Sequence, residues 1–154
     1  MKKWTYLWLP LLALAVGFLA SSLTRQGMET IYPTWVKPAL TPPEIVFPIV
    51  WTVLYILMGL GLAMVLRQGG AAAKPAAIVW GVQLALNFVW TLVFFGAGKP
   101  LAAFFILLLL WLAILVMIRS FRQFSTLAAV LQVPYLLWVT FAGYLNLAIF
   151  YLNR

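Results

Sequence analysis

The sequence predicts an all-α membrane protein, a five-transmembrane-helix bundle forming a single domain over residues 1–154. Of its 154 residues, 66% are hydrophobic and only 8% are charged, and the mean hydropathy is +1.09. A soluble domain carries about 25% charged residues, so this composition excludes an ordinary soluble fold. Five apolar runs are long enough to cross a hydrocarbon core of about 30 Å, at about residues 4–23, 44–66, 76–97, 101–118 and 127–152.

The amino acids that are missing restrict the chemistry. The sequence contains no Cys and no His, and its only acidic residues are Glu29 and Glu44. A disulfide framework, a Ser-His-Asp triad, a Cys-His pair and a His-rich metal cluster are therefore excluded. We expect no metal site and no intrinsic cofactor. The net charge of +8 comes from Lys and Arg placed in ones and twos between apolar runs, which is typical of membrane-flanking anchors rather than of a nucleic-acid-binding surface.

The first run, residues 4–23, has two interpretations. Its basic start, apolar middle and small residues near position 20 resemble a secretory signal peptide. The run is long for the apolar core of such a peptide, however, and Ala13, Gly17 and Ser21 form a stripe of small residues at four-residue spacing. Such a stripe lets two helices pack closely, which favours a retained membrane helix.

The stretch Trp35–Tyr55 contains four prolines, which fix φ and keep the residues before them extended. The polar segment 24–43 is therefore predicted to be a semi-rigid loop. Just beyond the last proline, Trp51 and Tyr55 share one face of the second helix. A stiff loop leading into an aromatic face suggests a pocket with a lid, and an interfacial aromatic belt is the equally weighted alternative.

Two later runs also carry polar or aromatic side chains on one face. Gln83 and Asn87 are an i,i+4 amide pair inside the third run. At membrane depth, amides either bond across helices or face a cavity, and both alternatives stay open. The fourth run is almost uniformly aliphatic and is predicted to face lipid, and Pro134 predicts a kink in the fifth. The fifth run carries a stripe at i, i+3 and i+7, formed by Tyr135, Trp138 and Ala142.

Five crossings place the two termini on opposite sides of the membrane. Six basic residues then fall on the N-terminal side and four on the other, which favours an internal N-terminus and an external first loop. The N-terminal side carries Lys2, Lys3, Arg67, Lys74, Arg119 and Arg122, and the other side carries Arg25, Lys37, Lys99 and Arg154.

Four motifs, each weak alone, follow one another along the chain. They are Tyr32-x4-Lys37-Pro38-x3-Pro42-Pro43 in the loop, Pro48-x2-Trp51-Thr52-x2-Tyr55 in the second run, Gln83-x2-Leu86-Asn87-x2-Trp90 followed by Phe94-Phe95-Gly96-Ala97 in the third, and Pro134-Tyr135-Leu136-x-Trp138-x2-Phe141-Ala142-x2-Leu145-Asn146 in the fifth. Their joint order and spacing resemble the TspO/MBR family, the tryptophan-rich sensory and translocator proteins, over essentially the whole chain.

The resemblance implies a five-helix bundle whose ligand pocket is roofed by the loop between the first two helices. Family members bind porphyrins, heme and, in animals, cholesterol, and they commonly form homodimers. By position, Trp51, Asn87, Trp90, Trp138 and Ala142 should line the pocket, with Tyr32 in the lid. Together with the residues indicated by spacing, the predicted ligand-binding residues are Tyr32, Trp51, Tyr55, Gln83, Asn87, Trp90, Tyr135, Trp138 and Ala142.

Three functions compete at this stage. The first is a membrane receptor for tetrapyrroles, protoporphyrin IX or heme, and other hydrophobic ligands. The second, implied by bacterial members of the family, is light-dependent porphyrin breakdown, with Trp51 and Trp138 as the catalytic candidates. The third is a passive translocator, because no ionisable residue lies deep in any run to support coupled transport. Porphyrin is a ligand or substrate in each case.

Three further expectations follow from the resemblance. Leu147 and Tyr151 stand where the animal cholesterol motif has an aromatic and a basic residue, so cholesterol is not the expected ligand. A bacterial plasma membrane is the expected location. A homodimer is expected, and the stripe at Ala13, Gly17 and Ser21 is either its interface or a packing surface within one chain.

Overall fold

The computed structural model describes residues 3–154, and over these residues the chain is helical and has no β-strand. Met1 and Lys2 lie outside the described residues. Lys2 is one of the basic residues used to predict the orientation. The helices are α1 (Thr5–Thr30), α2 (Val46–Gly69), α3 (Lys74–Thr91), α4 (Pro100–Arg122), α5 (Thr126–Val130) and α6 (Val133–Leu152).

Within residues 3–154, four continuous helical stretches are long and apolar enough to cross a membrane: Thr5–Thr34, Val46–Gly96, Pro100–Arg122 and Thr126–Leu152. The predicted all-α membrane character is therefore confirmed. The second stretch has 51 residues and contains both α2 and α3, joined by a 3₁₀ turn at Gly70–Ala73.

The contacts between α2 and α3 show that this second stretch folds back on itself. Trp80 Nε1 donates a hydrogen bond to the Met58 carbonyl at 3.1 Å, and the Tyr55 hydroxyl donates to Asn87 Oδ1 at 3.3 Å. Residues earlier in α2 thus contact residues later in α3, which is an antiparallel arrangement. The stretch is a helical hairpin with its turn at Gly70, whose φ of 52° suits a glycine.

The first helix is longer than the sequence predicted. The expected loop begins at residue 24, whereas α1 continues to Thr30. The Thr24 hydroxyl donates to the Ala20 carbonyl at 2.8 Å and the Thr30 hydroxyl to the Gln26 carbonyl at 2.7 Å. These polar side chains bond to their own helix instead of ending it, and no proline follows until position 33.

The fifth predicted helix is divided. The turn at Leu131 and Gln132 separates α5 from α6, and Pro134 lies in the first turn of α6, where its missing N–H costs no hydrogen bond. The chain therefore breaks just before Pro134 rather than bending at it. At this break, Gln132 Nε2 donates to the Leu57 carbonyl of α2 at 2.9 Å.

The aliphatic helix α4 faces lipid on only one side, which corrects the prediction of a simply lipid-facing helix. Its other side is a fully buried stripe with helical spacing that packs against α3 and α6. Uniform hydrophobicity conceals such a stripe, because core and lipid accept the same side chains. The stripe consists of Ala103, Leu107, Leu110, Ile114, Met117 and Phe121.

The stripe of small residues in α1 packs within the chain at two of its three positions. Ala13 is fully buried. A Cβ atom at Gly17 would overlap the Tyr55 ring of α2, and one at Gly59 would overlap the Pro10 backbone of α1. The absence of side chains at both glycines therefore lets α1 and α2 approach closely.

Replacing Gly59 with Ala should lower stability by about 1–3 kcal/mol, because the added methyl meets helix backbone rather than a movable side chain. Gly81→Ala is the matched control. A Cβ at Gly81 meets no atom within 4 Å, so this change should be neutral or stabilising by about 0.5–1 kcal/mol through helix propensity. Thermal unfolding of both variants in one detergent measures the difference. An unchanged midpoint for Gly59→Ala would contradict the close approach.

Candidate functional site

A cavity of about 610 Å³ lies between α1, α2, α6 and the end of α3. Its aromatic walls come from separate elements: Trp51 from α2, Trp90 from α3 and Trp138 from α6. Phe95 adds a further wall from a π-helical segment, Leu92–Gly96, that continues α3. Segments of this kind are frequent at functional sites.

Trp51 is at the centre of the aromatic cluster. Its ring centroid lies 5.7 Å from that of Tyr55, 6.3 Å from Trp90 and 6.5 Å from Trp138. The Trp51 and Trp138 rings meet edge to face, at 87°, which is a favoured geometry for aromatic pairs. Trp51 therefore joins the aromatic side chains of three helices.

The Trp138 indole is held differently from those of Trp80 and Trp90. Its Nε1 is buried and has no hydrogen-bond partner within residues 3–154. By contrast, Trp90 Nε1 donates to Asn146 Oδ1 at 3.0 Å, and Trp80 Nε1 donates to a backbone carbonyl. Ring packing alone positions Trp138, between Phe47 at 5.9 Å and Phe141 at 5.7 Å.

The charged residues of the cavity are Arg25 and Glu29 on α1 and Glu44 just before α2. All three side chains are exposed, and the two glutamates are the only acidic residues of the chain. No hydrogen bond or ion pair joins these three side chains to other residues in the described part of the chain. The cavity therefore has an apolar interior and a charged edge that is available to a ligand.

A buried hydrogen-bond network lies beneath the aromatic walls. The Tyr55 hydroxyl donates to Asn87 Oδ1, Asn87 Nδ2 donates to the Tyr135 hydroxyl at 2.9 Å, and that hydroxyl donates to Gln83 Oε1 at 2.6 Å. The four side chains come from α2, α3 and α6, and all are buried. Of the two alternatives for the amide pair, bonding across helices is the one that the structure shows.

The structure brings five of the nine predicted ligand-binding residues to the cavity and places the other four around it. Gln83, Asn87 and Tyr135 belong to the network beneath the cavity, and Tyr55 is the member of that network that also lines the cavity. Tyr32 is buried against Phe95, with ring centroids 5.5 Å apart. The five that line the cavity are Trp51, Tyr55, Trp90, Trp138 and Ala142.

The predicted roof contributes little to the lining. Between α1 and α2, only Glu44 lines the cavity. The wall that sequence reasoning missed is the second half of α1, including Thr24 and Met28, because the first helix was expected to end before them. The one sequence signal for this wall was the small-residue stripe, whose third member, Ser21, lines the cavity.

The fold and the cavity define a polytopic, all-helical integral membrane protein. Its sequence matches the TspO/MBR family over residues 9–152, and the chain belongs to that family. It is 43% identical to the tryptophan-rich protein TspO of Chlorobaculum tepidum, over 92% of this chain and 91% of the relative. It is 38% identical to the protein of the same name from Archaeoglobus fulgidus, over 93% of each. The translocator protein of Bos taurus is 36% identical, over 84% of this chain and 79% of its own.

Tyr135→Phe should destabilise the protein by about 1–2 kcal/mol, because it leaves the Asn87 amide and the Gln83 carbonyl without a partner. Tyr144→Phe is the control. Tyr144 lies on the exposed side of α6 and makes no hydrogen bond within residues 3–154, so its hydroxyl should be dispensable. Unfolding midpoints in the same detergent give the comparison. Equal midpoints for the two variants would show that the network does not stabilise the bundle.

Proposed function

We propose that this protein is a membrane receptor that binds tetrapyrroles, protoporphyrin IX or heme, and other hydrophobic ligands in the aromatic cavity. The observation that carries the proposal is the convergence of Trp51, Trp90 and Trp138 on one cavity of about 610 Å³. A porphyrin is a flat, apolar macrocycle, and indole rings bind such faces by stacking and edge contacts. The porphyrin would be a ligand rather than a resident cofactor.

The charged edge supports one orientation of such a ligand. Among the described residues, Arg25 is the only basic one that lines the cavity and can pair with a propionate, whereas Glu29 and Glu44 would repel a second carboxylate placed beside them. Lys37, the other basic residue considered for this role, is engaged elsewhere. Its ammonium donates to the Trp35 carbonyl at 3.1 Å and lies 4.5 Å from the Tyr32 ring centroid. The macrocycle would enter the apolar interior with one propionate beside Arg25.

The relatives support the broader class. One is called a tryptophan-rich sensory protein, from Cereibacter sphaeroides, and another a translocator protein. These names suit a membrane receptor or a passive translocator. We infer five membrane crossings, because the α2–α3 hairpin would cross the membrane twice. We also infer an internal N-terminus and a location in a bacterial plasma membrane. A homodimer would need a surface other than Ala13 and Gly17, which α2 already covers.

Filling the cavity tests the binding proposal. Thr52 lines the cavity and is exposed, so Thr52→Trp should reduce protoporphyrin IX affinity about tenfold or more without unfolding the protein. Val53→Trp is the control, because the neighbouring side chain lies on the other flank of α2, in an apolar groove beside α6. Quenching of tryptophan fluorescence in nanodiscs, in the dark, measures both affinities. Equal affinities for the two variants would place the ligand outside the cavity.

Light-dependent porphyrin breakdown is a second candidate function, favoured by the edge-to-face contact of Trp51 and Trp138 on the cavity surface. With porphyrin as photosensitiser and dioxygen as oxidant, the excited porphyrin would take an electron from an indole and pass it to dioxygen. The indole radical would then recover an electron from the porphyrin, so that the net change is oxidation of the porphyrin by dioxygen. Trp51→Phe and Trp138→Phe keep most of the aromatic surface, but phenyl rings are harder to oxidise. Each variant should bind porphyrin in the dark and lose the light-driven decay of its absorbance. Decay at the parental rate in both variants would leave binding as the only function.

A further inference from the structure

One side chain, Asn153, joins the C-terminal end of α6 to the connection between α1 and α2. Its Oδ1 accepts a hydrogen bond from the Val36 N–H at 2.8 Å, and its Nδ2 donates to the Val36 carbonyl, also at 2.8 Å. The same Nδ2 donates to the Ile149 carbonyl at 2.7 Å. Asn153 is thus held on the last turn of α6 while it binds both backbone polar groups of a residue 117 positions away.

The chemistry of this clasp is particular to a carboxamide. Asn presents an acceptor and two donors in one plane, and here both donors and the acceptor are used. An aspartate would keep the acceptor and lose both donors. The backbone of Val36 makes no other hydrogen bond within the described residues, and its side chain is exposed. The clasp therefore supplies all the hydrogen bonds that fix Val36.

The neighbours of Val36 connect the clasp to the cavity wall. Trp35 packs edge to face against Phe94, with ring centroids 5.3 Å apart, and Tyr32 packs against Phe95 at 5.5 Å. Phe95 lines the cavity. The segment before Val36 is therefore packed against the π-helical wall, while Val36 itself is bound to α6.

The connection also leads from Val36 to the other edge of the cavity. The sequence that follows is rich in proline as far as Glu44, which lines the cavity and is followed on α2 by Phe47. Prolines limit the conformations available to such a segment. A displacement of Val36 would therefore also move Glu44 and Phe95. A flexible connection would instead absorb the displacement.

We propose that Asn153 is a positioning residue for the ligand cavity. By holding Val36 against α6, it keeps the α1–α2 connection in place beside the cavity and slows the release of bound ligand. The effect on ligand release rests on the proposed tetrapyrrole-binding function. The clasp itself can be measured without any ligand.

Two variants of the 154-residue chain in nanodiscs test the clasp. Asn153→Leu keeps the approximate shape and removes all three hydrogen bonds, so the Val36 amide should exchange hydrogen about fivefold faster or more. Asn153→Asp keeps the acceptor but turns a second oxygen toward the Val36 and Ile149 carbonyls, so it should also speed this exchange. Leu152→Ala, which shortens an exposed side chain one position earlier, is the control and should match the parent. Unfolding midpoints should agree across the four proteins, because Val36 and Asn153 are both exposed.

Ligand release is then measured with protoporphyrin IX in the dark. Asn153→Leu should raise the dissociation rate about fivefold and leave the association rate within about twofold, whereas Leu152→Ala should change neither. Unchanged exchange at Val36 would overturn the clasp. Faster exchange with an unchanged dissociation rate would overturn the positioning role. A parent protein that binds no porphyrin would overturn the proposed function and this role together, and the exchange data would still decide whether the clasp exists.

Discussion

Polar groups inside a membrane have to find partners within the protein, because the hydrocarbon offers none. The hydroxyl of Tyr135 on α6 satisfies this requirement for two side chains of α3 at once, since it accepts from Asn87 and donates to Gln83, and Asn87 in turn accepts from Tyr55 on α2. Apolar contacts alone would tolerate many rotations of a helix about its axis, whereas these hydrogen bonds tolerate few. The rotations of α2, α3 and α6 in turn set the directions of Trp51 and Trp138. The cavity therefore depends on hydrogen bonds that do not line it.

Close backbone contacts fix the remaining wall. At Gly59 the backbones of α1 and α2 approach closely, and at Gly27 α1 meets the Phe95 carbonyl of the π-helical segment. Between these two contacts, α1 presents Gly17 and Ser21 to the cavity. Small residues thus serve two purposes along one helix. Glycine lets the helix approach its neighbours closely, as Gly17 does at the Tyr55 ring, and the small side chain of Ser21 leaves space for the cavity.

Much of this arrangement could be predicted from local patterns, and the exceptions have physical reasons. The i,i+4 spacing identified Trp51 and Tyr55 as one face, and both line the cavity. The same spacing identified Gln83 and Asn87, but periodicity shows which residues share a face without showing what that face meets. The helical continuation of α1 was missed because Thr24 and its polar successors read as a loop. The hydroxyls of Thr24 and Thr30 donate hydrogen bonds to carbonyls of their own helix. Composition does not reveal such bonds.

The distribution of charge has a consequence for the electrical behaviour of the protein. Between Glu44 and Arg67, between Lys74 and Lys99, and between Arg122 and Arg154, the sequence contains no charged residue. A membrane voltage acts on a conformational change only through the charges that move across the field, at about 2.3 kcal/mol per charge for 100 mV. The parts of α2, α3 and α6 that line the cavity carry no such charge. Ligand exchange that needs only local movements of these parts would proceed at the same rate in an energised membrane as in a depolarised one, provided that the ligand itself is neutral.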